Sequence, residues 1–435
     1  MTLRSGVTRR EFLRLVQAGA LLSPLAWLPT CSKPKSSSGK PPTLSDDQLL
    51  DEIERTSFDF FWNEASSTTG QVKDRALANG GDARTMSSIA ATGFGLTALC
   101  IADSRNFHPS AEIKERVRIT LKFLANQMPH EHGFFYHFVD MNTGSRIDSC
   151  ELSSVDTSIL LSGVLTARQY FSDAEIQDLA TSIYNRVDWQ WMLNGGSTLC
   201  MGWKPESSFL EGRWNHYCEL MMIYLLAIGS TTHPIPPETW EAWSRPIINY
   251  QGIEYISGND PLFTHQYSHA WFDFRNQRDK HADYFLNSVK ATRAHKLFCL
   301  SLKQQFSDYS QDLWGISASD SAAGYTAWGG PPALGNIDGS IVPCAVGGSL
   351  PFLFKDCMRV LQTIRNQYGN RAWTRYSFVD AFNPLTGWND SDVLGIDLGI
   401  TMLMAENQRT GLVWQTFMKN SEAQSAMQKV GFTKT

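Results

Sequence analysis

Four stretches of this chain, at 86–104, 152–166, 216–229 and 394–406, are apolar on nearly every side at helical spacing. A helix built from any of them must be covered all round by the rest of the protein, whereas an ordinary surface helix needs only one apolar face. Further segments with helical apolar spacing lie at about 46–64, 110–127, 173–194, 237–248, 279–306 and 346–367, with weaker ones near 310 and 412. Alternating strands are few, and no second linker interrupts the chain after Ser45. Helices in pairs, joined by connections that are sometimes short and sometimes long and aromatic, imply an all-α toroid of about six helical hairpins. The predicted domain covers 46–420, with 421–435 as a tail.

Three of the four all-apolar stretches carry an acidic residue at or near their N-terminal end. In Trp214 to Ile235 the predicted helix reads as buried from Leu220 to Ile228, stops at Gly229-Ser230, and has Glu219 in its first turn. Trp214, Asn215, His216 and Tyr217 precede it, side chains suited to lining a polar cleft. Glu151 and Asp156 open the stretch at 152–166, where Ser153 or Ser154 is placed to cap the helix. Asp397 leads into the apolar run Ile400 to Met404, and Asp74-Arg75 follows a glycine-containing turn early in the domain. A carboxylate at a helix N-terminus is also favoured by the helix dipole alone. Several at the mouths of separate inner helices suit glycosidic cleavage, which uses one carboxyl group as acid and a second as base or nucleophile.

The long connections carry flat rings beside polar groups. They include Gly133 to Phe138, Met201 to Lys204, Phe263 to Arg275 and Tyr325 to Gly330, in a chain with 14 Trp, 13 Tyr and 24 Phe. A sugar has an apolar face and a rim of hydroxyls, so rings set among such groups fit a saccharide cleft. Trp271 and Trp328, embedded among polar residues and glycines, are expected to face sugar.

At the N-terminus Thr8-Arg9-Arg10-Glu11-Phe12-Leu13-Arg14 and the broken apolar run Leu15 to Trp27 read as a twin-arginine export signal over 1–31, with Cys31 a candidate for lipid attachment to a membrane. Residues 32–45, rich in Ser, Pro, Lys and Gly, read as a disordered tether, and the mature protein is expected in the periplasm. The chain has a formal net charge of −5, and its first 31 residues hold four arginines against one glutamate. The mature protein is therefore more acidic still, which does not suit nucleic acid. The eight cysteines form no C-x-x-C pair and read mainly as small core residues. His265 and His269 lack a third ligand, His130-Glu131-His132 reads as an exposed turn, and Asn389-Asp390-Ser391-Asp392 lacks the glycine and terminal glutamate of an EF-hand loop. No metal site and no cofactor are expected, and the absence of heptads points to a monomer.

Taken together, Phe263 to Trp271 with Asp273-Phe274-Arg275, Asp283 to Thr292, Ser87 to Gly95, Glu151 to Thr157, Glu219 to Ile235, Asp338 to Pro343 with Gly347 to Phe352, and Gly395 to Trp414 resemble the glycoamylase-like family. That family includes bacterial endo-β-1,2-glucanases and a domain of cyclic β-1,2-glucan synthases. The resemblance implies an (α/α)6 toroid, an inverting mechanism and no cofactor. It further implies that Glu219 is catalytic, that Glu151, Asp156 and Asp397 are acidic cleft positions, and that Trp271, Arg275, Asp273, Tyr267 and His265 form a substrate-facing loop. Tyr217, Trp328, Asp74 and Arg75 complete the expected contacts with an oligo- or polysaccharide. A β-1,2-glucan hydrolase, a transglycosylase or other-linkage glucanase of the same fold, and a non-catalytic saccharide-binding protein all remain compatible with these residues.

Overall fold

The computed structural model describes residues 44–435. The export signal, Cys31 and most of the tether lie outside the described residues. The domain opens with α1 (Asp46–Asn63), where Ser45 and Gln48 form a reciprocal capping box. It continues through α2 (Ile89–Arg105), α3 (Ser110–Asn126), α4 (Ser154–Tyr170), α5 (Ala174–Asn185), α6 (Trp189–Leu193) and α7 (Met221–Gly229). After two 3-10 turns, Leu262–His265 and Tyr267–Ala270, come α8 (Tyr284–Ser301), α9 (Pro343–Gly347), α10 (Phe354–Thr363), α11 (Gly395–Arg409), α12 (Leu412–Phe417) and α13 (Ser421–Lys429).

The all-apolar stretches occupy the inside of an α/α ring. Helix α2 packs on α4 and α11, α4 on α7, α7 on the turn Tyr267–Ala270, and that turn on α11. Gln266 joins the same wall to α9 through a 2.8 Å hydrogen bond to the Ala345 carbonyl. Every residue of α7 is buried, whereas α1, α3 and α5 bury one face and expose the other. Helices α2, α4 and α11 run parallel and start at one level: Gly93 meets Ile159 and Gly399 meets Phe94 within the first two turns, and near the far ends Tyr170 bonds Asp103 and Arg105 bonds Glu406.

That approach is close enough to require glycine. A methyl group at Gly163 would lie 2.0 Å from the Gly93 carbonyl oxygen, and one at Gly93 would lie 2.5 Å from the Ile159 carbonyl. Gly163→Ala is therefore expected to destabilise the fold by about 3 kcal/mol, since backbone cannot yield as a flexible side chain can. Chemical unfolding of the variant beside wild type measures this.

Each of the three parallel helices is entered straight from a short strand, so the all-α expectation omitted a functional layer of small ladders. Strand β1 (Arg75–Leu77) pairs with β6 (Asp392–Leu394), with Arg75 opposite Leu394; β2 (Met86–Ser88) pairs with β3 (Phe138–Asp140); β4 (Leu152–Ser153) pairs with β5 (Gly202–Lys204). The ladders β2, β4 and β6 end where α2, α4 and α11 begin, which fixes the level of the helix mouths.

Other elements depart from the periodicity. The stretch 237–248 is a short 3-10 turn, Pro237–Glu241, followed by the hairpin Ile247–Tyr250 and Ile253–Ile256. Its apolar spacing comes from Trp240 and Trp243 packing edge to face at 5.1 Å, and Pro246 prevents a continuous helix. The segment at 173–194 breaks between α5 and α6, and 346–367 divides into the end of α9 and α10. No helix forms near 310, where Ser310 instead bridges Leu313. The stretch from 421 is no loose tail: α13 packs on α7, burying Ala423, Ala426 and Met427. The seven described cysteines are all buried and unbridged.

Candidate active site

The mouth of the ring is built around two groups of charged residues. At the first, Ser153 is the cap, accepting a hydrogen bond from the Asp156 amide at 3.2 Å while its hydroxyl donates to the Asp156 carboxylate. Glu151, just before β4, is 1% exposed. One of its oxygens meets His137 Nδ1 at 3.1 Å, and the other side of the imidazole, Nε2, lies 3.6 Å from Asp156. The His137 backbone holds the group in place: its amide donates to the Glu151 carbonyl at 2.9 Å and its carbonyl accepts from Ile89 at the start of α2. Burial opposes charge on His137, but Asp156, Glu151 and Asp74 outweigh it and push the imidazole up to about 9. Burial likewise resists ionisation of Glu151, and the His137 contact overrides it, holding the carboxyl below its ordinary range. At neutral pH His137 is therefore an imidazolium, held between Glu151 and Asp156.

The second group surrounds Arg75. Its Nε donates to Asp74 at 2.9 Å and a terminal nitrogen to Asp320 at 2.5 Å. The Asp320 amide donates to Asp380 at 2.7 Å, and the Asp392 amide to Asp390 at 3.0 Å. Asp397, in the first turn of α11, is buried beside Asp380 and the Cys344 thiol. Burial pushes Asp397 up to about 6, against the hydrogen bonds from Asp380 and Cys344. Burial also pushes Asp390 up to about 6, and burial reinforced by Asp397 raises Asp380 well above the usual carboxylate range. Asp74 links the two groups, being bonded by Arg75 and acting on His137.

Glu219 stands two residues ahead of α7, not in its first turn, and is 1% exposed. Its carbonyl accepts from Ser268 Oγ at 2.9 Å, and the same hydroxyl accepts from the Met222 amide. The segment leading to it lies against the mouth of α4, since Trp214 Nε1 donates to Ser154 Oγ at 2.8 Å. The mouth thus gathers Glu151, Asp156, Asp397, Asp74 and Arg75, with the approach to Glu219 beside them.

Several expected sugar contacts belong elsewhere. Trp271 is fully buried, its ring 5.0 Å from Phe94 and its indole N–H donating to Thr97 Oγ1 at 3.0 Å. Thr97 is eight residues into α2, about 12 Å below the mouth at 1.5 Å per residue. Trp328 is 1% exposed and packs against Gly335. Tyr267 packs its edge on Phe94 at 5.7 Å, and Tyr217 is buried with its hydroxyl 3.1 Å from His265 Nδ1. Burial pushes His265 and His269 down to about 3, so both are neutral core residues. Arg275 and Asp273 pair at 2.8 Å with the guanidinium 4.0 Å over the Trp414 ring, past the C-terminal end of α11 and so at the opposite end of the ring from Asp397. Core packing and surface ion pairing account for these residues. The unassigned members of the mouth are His137, Asp320 and Asp380; His137 lay in an aromatic run noted for sugar contact, and no periodicity marks the two aspartates.

The Glycoamylase family model matches residues 211–421. An exo β-1,2-glucooligosaccharide sophorohydrolase (non-reducing end) of Parabacteroides distasonis is 28% identical over 431 aligned residues, covering 89% of this chain and 58% of that protein. The chain thus spans little more than half the length of that curated relative. An endo-β-1,2-glucanase from Chitinophaga pinensis, solved with sophorotriose and glucose, superposes with a TM-score of 0.82 at 27% identity, covering 90% of this chain and 99% of that one. A β-1,2-glucanase from P. distasonis gives a TM-score of 0.82 at 26% identity, over 89% of this chain and 60% of that one. A Talaromyces funiculosus endo-β-1,2-glucanase with sophorose, 14% identical with a TM-score of 0.64 over 89% of this chain and 91% of that one, shares the fold.

Proposed function

We propose that this chain, whose residues 211–421 match the Glycoamylase family model, cleaves β-1,2-linked glucan or its oligosaccharides by inversion. The observation that carries the reading is the convergence of acids from the entries of α4 and α11 on one mouth, with Arg75 between them. The β-1,2-glucan activities named for the similar proteins supply the linkage. On this reading Glu219 protonates the leaving oxygen, and a carboxylate from among Asp397, Asp156 and Glu151 activates water on the opposite face of the sugar. Arg75 and Asp74 orient hydroxyls. The reading takes the ring as a six-pair (α/α)6 toroid, and the protein as exported, monomeric and without a cofactor in its chemistry, with Cys31 as a candidate for lipid attachment.

The test is incubation of the mature protein with a panel of β-glucans, with products resolved by chromatography and the released anomer read by NMR. The expected result is cleavage of β-1,2-glucan with release of the α-anomer. Disaccharides alone would indicate exo action and a ladder of lengths endo action. Release of the β-anomer overturns inversion, and binding without cleavage of any glucan makes the protein a saccharide-binding one.

A further inference from the structure

The two charged groups at the mouth differ in how their charge is balanced. In the first, one imidazolium sits between Glu151 and Asp156, and the cation is supplied by the protein. In the second, Asp320, Asp380, Asp390 and Asp397 crowd around a single guanidinium, Arg75, which is itself shared with Asp74. The neighbouring Arg84 is taken by Asp82 and Asp392. We propose that Asp320, Asp380 and Asp390 bind one calcium ion at the mouth of the ring, beside Arg75 and Asp397.

The geometry is that of a prepared oxygen site. Each of the three carboxylates is anchored through one oxygen by a protein donor: Asp320 by Arg75, Asp380 by the Asp320 amide, Asp390 by the Asp392 amide. An oxygen from each lies within 4.8 Å of those from the other two. Twice a calcium–oxygen distance of about 2.3–2.6 Å spans such a separation, and an all-oxygen, carboxylate-rich set selects a hard cation. The second observation is independent of the clustering. Asp390 Oδ2 is buried without any hydrogen-bond partner, on a residue 9% exposed, and Asp380, 1% exposed, is bonded to a second acid, Asp397. A buried carboxylate oxygen without a donor or cation is expensive, and a divalent ion held by the three aspartates would satisfy the one on Asp390, with water completing the shell. The ligands come from three separate segments, so the short run Asn389 to Asp392 needed no glycine or terminal glutamate of its own: Asp320 and Asp380 supply what an EF-hand takes from one loop.

The test needs no glucan, so its outcome is separate from that of the hydrolase assay. The full chain, stripped with EDTA and exchanged into metal-free buffer at pH 7.5, is titrated with CaCl2 by calorimetry, with bound metal counted by elemental analysis and MgCl2 run in parallel. One calcium per chain is expected, with a rise in the thermal midpoint that grows with calcium concentration. Asp390→Asn should weaken binding at least about tenfold, 1.4 kcal/mol or more, while Asp178→Asn, an exposed carboxylate elsewhere, should not. No binding by wild type at millimolar calcium overturns the proposal whatever the variants do. Equal affinity in Asp390→Asn places the ion elsewhere and overturns it too. A protonated-carboxyl infrared band that persists unchanged under millimolar calcium shows that protons settle the charge instead, and preference for magnesium overturns the choice of ion.

Discussion

Glu219→Gln lowers turnover of β-1,2-glucan by about 10²–10⁴-fold while leaving oligosaccharide binding largely intact, if the residue is the general acid. The amide preserves the shape of the side chain and most of its hydrogen bonding but has no proton to give. Structural damage is expected to be small, because the substitution is isosteric and leaves the backbone contact from Ser268 Oγ to the Glu219 carbonyl in place. Unchanged unfolding of the variant would separate a chemical loss from a folding loss. A glucoside with an activated leaving group gives the sharper comparison, since it departs with little protonation and should restore much of the lost rate in Glu219→Gln. It should not rescue Asp397→Asn or Asp156→Asn where the missing group is the base. Wild-type turnover of natural glucan by Glu219→Gln would remove the residue from catalysis and leave it as a buried glutamate ahead of α7.

Trp271→Ala destabilises the protein by about 3–5 kcal/mol, the reverse of the modest binding defect that a sugar-facing ring predicts. The side chain fills space beside Phe94, and its N–H ties the residue after the turn Tyr267–Ala270 to α2 through Thr97. Truncation leaves a cavity between two inner walls of the ring and removes a buried hydrogen bond in the same step. Equilibrium unfolding in urea measures the loss, and binding assayed well below the new midpoint should remain near wild type. A variant with native stability and weakened oligosaccharide affinity would return Trp271 to the cleft.

Glu151, Asp156 and Asp397 could be placed at one end of the ring from sequence because each stands at the start of a run too apolar to be anything but an inner helix. Once such helices run parallel, acids at their starts must share one end. Trp271, Trp328 and Tyr267 were misread for a complementary reason. A ring among polar neighbours looks the same in sequence whether it faces water or, as Trp271 does with Thr97, finds its hydrogen-bond partner in the core. Arg275 fared similarly, since its place depends on which end of α11 the chain passes after Phe274. His137, Asp320 and Asp380 lie in loops, where neither the helical period nor the strand period reports burial.

The sequence by itself therefore determined the helical ring, the inner helices and the acids at their entries, because apolar periodicity records how many sides of a helix must be covered. Only the tertiary structure decided which polar residues meet at the mouth. Arg75 finds Asp320 across 245 positions of chain, and His137 sits between Glu151 and Asp156 because the β2–β3 and β4–β5 ladders set its level. Contacts of that range depend on how separate segments are registered against one another, and no local pattern of residue types carries that information.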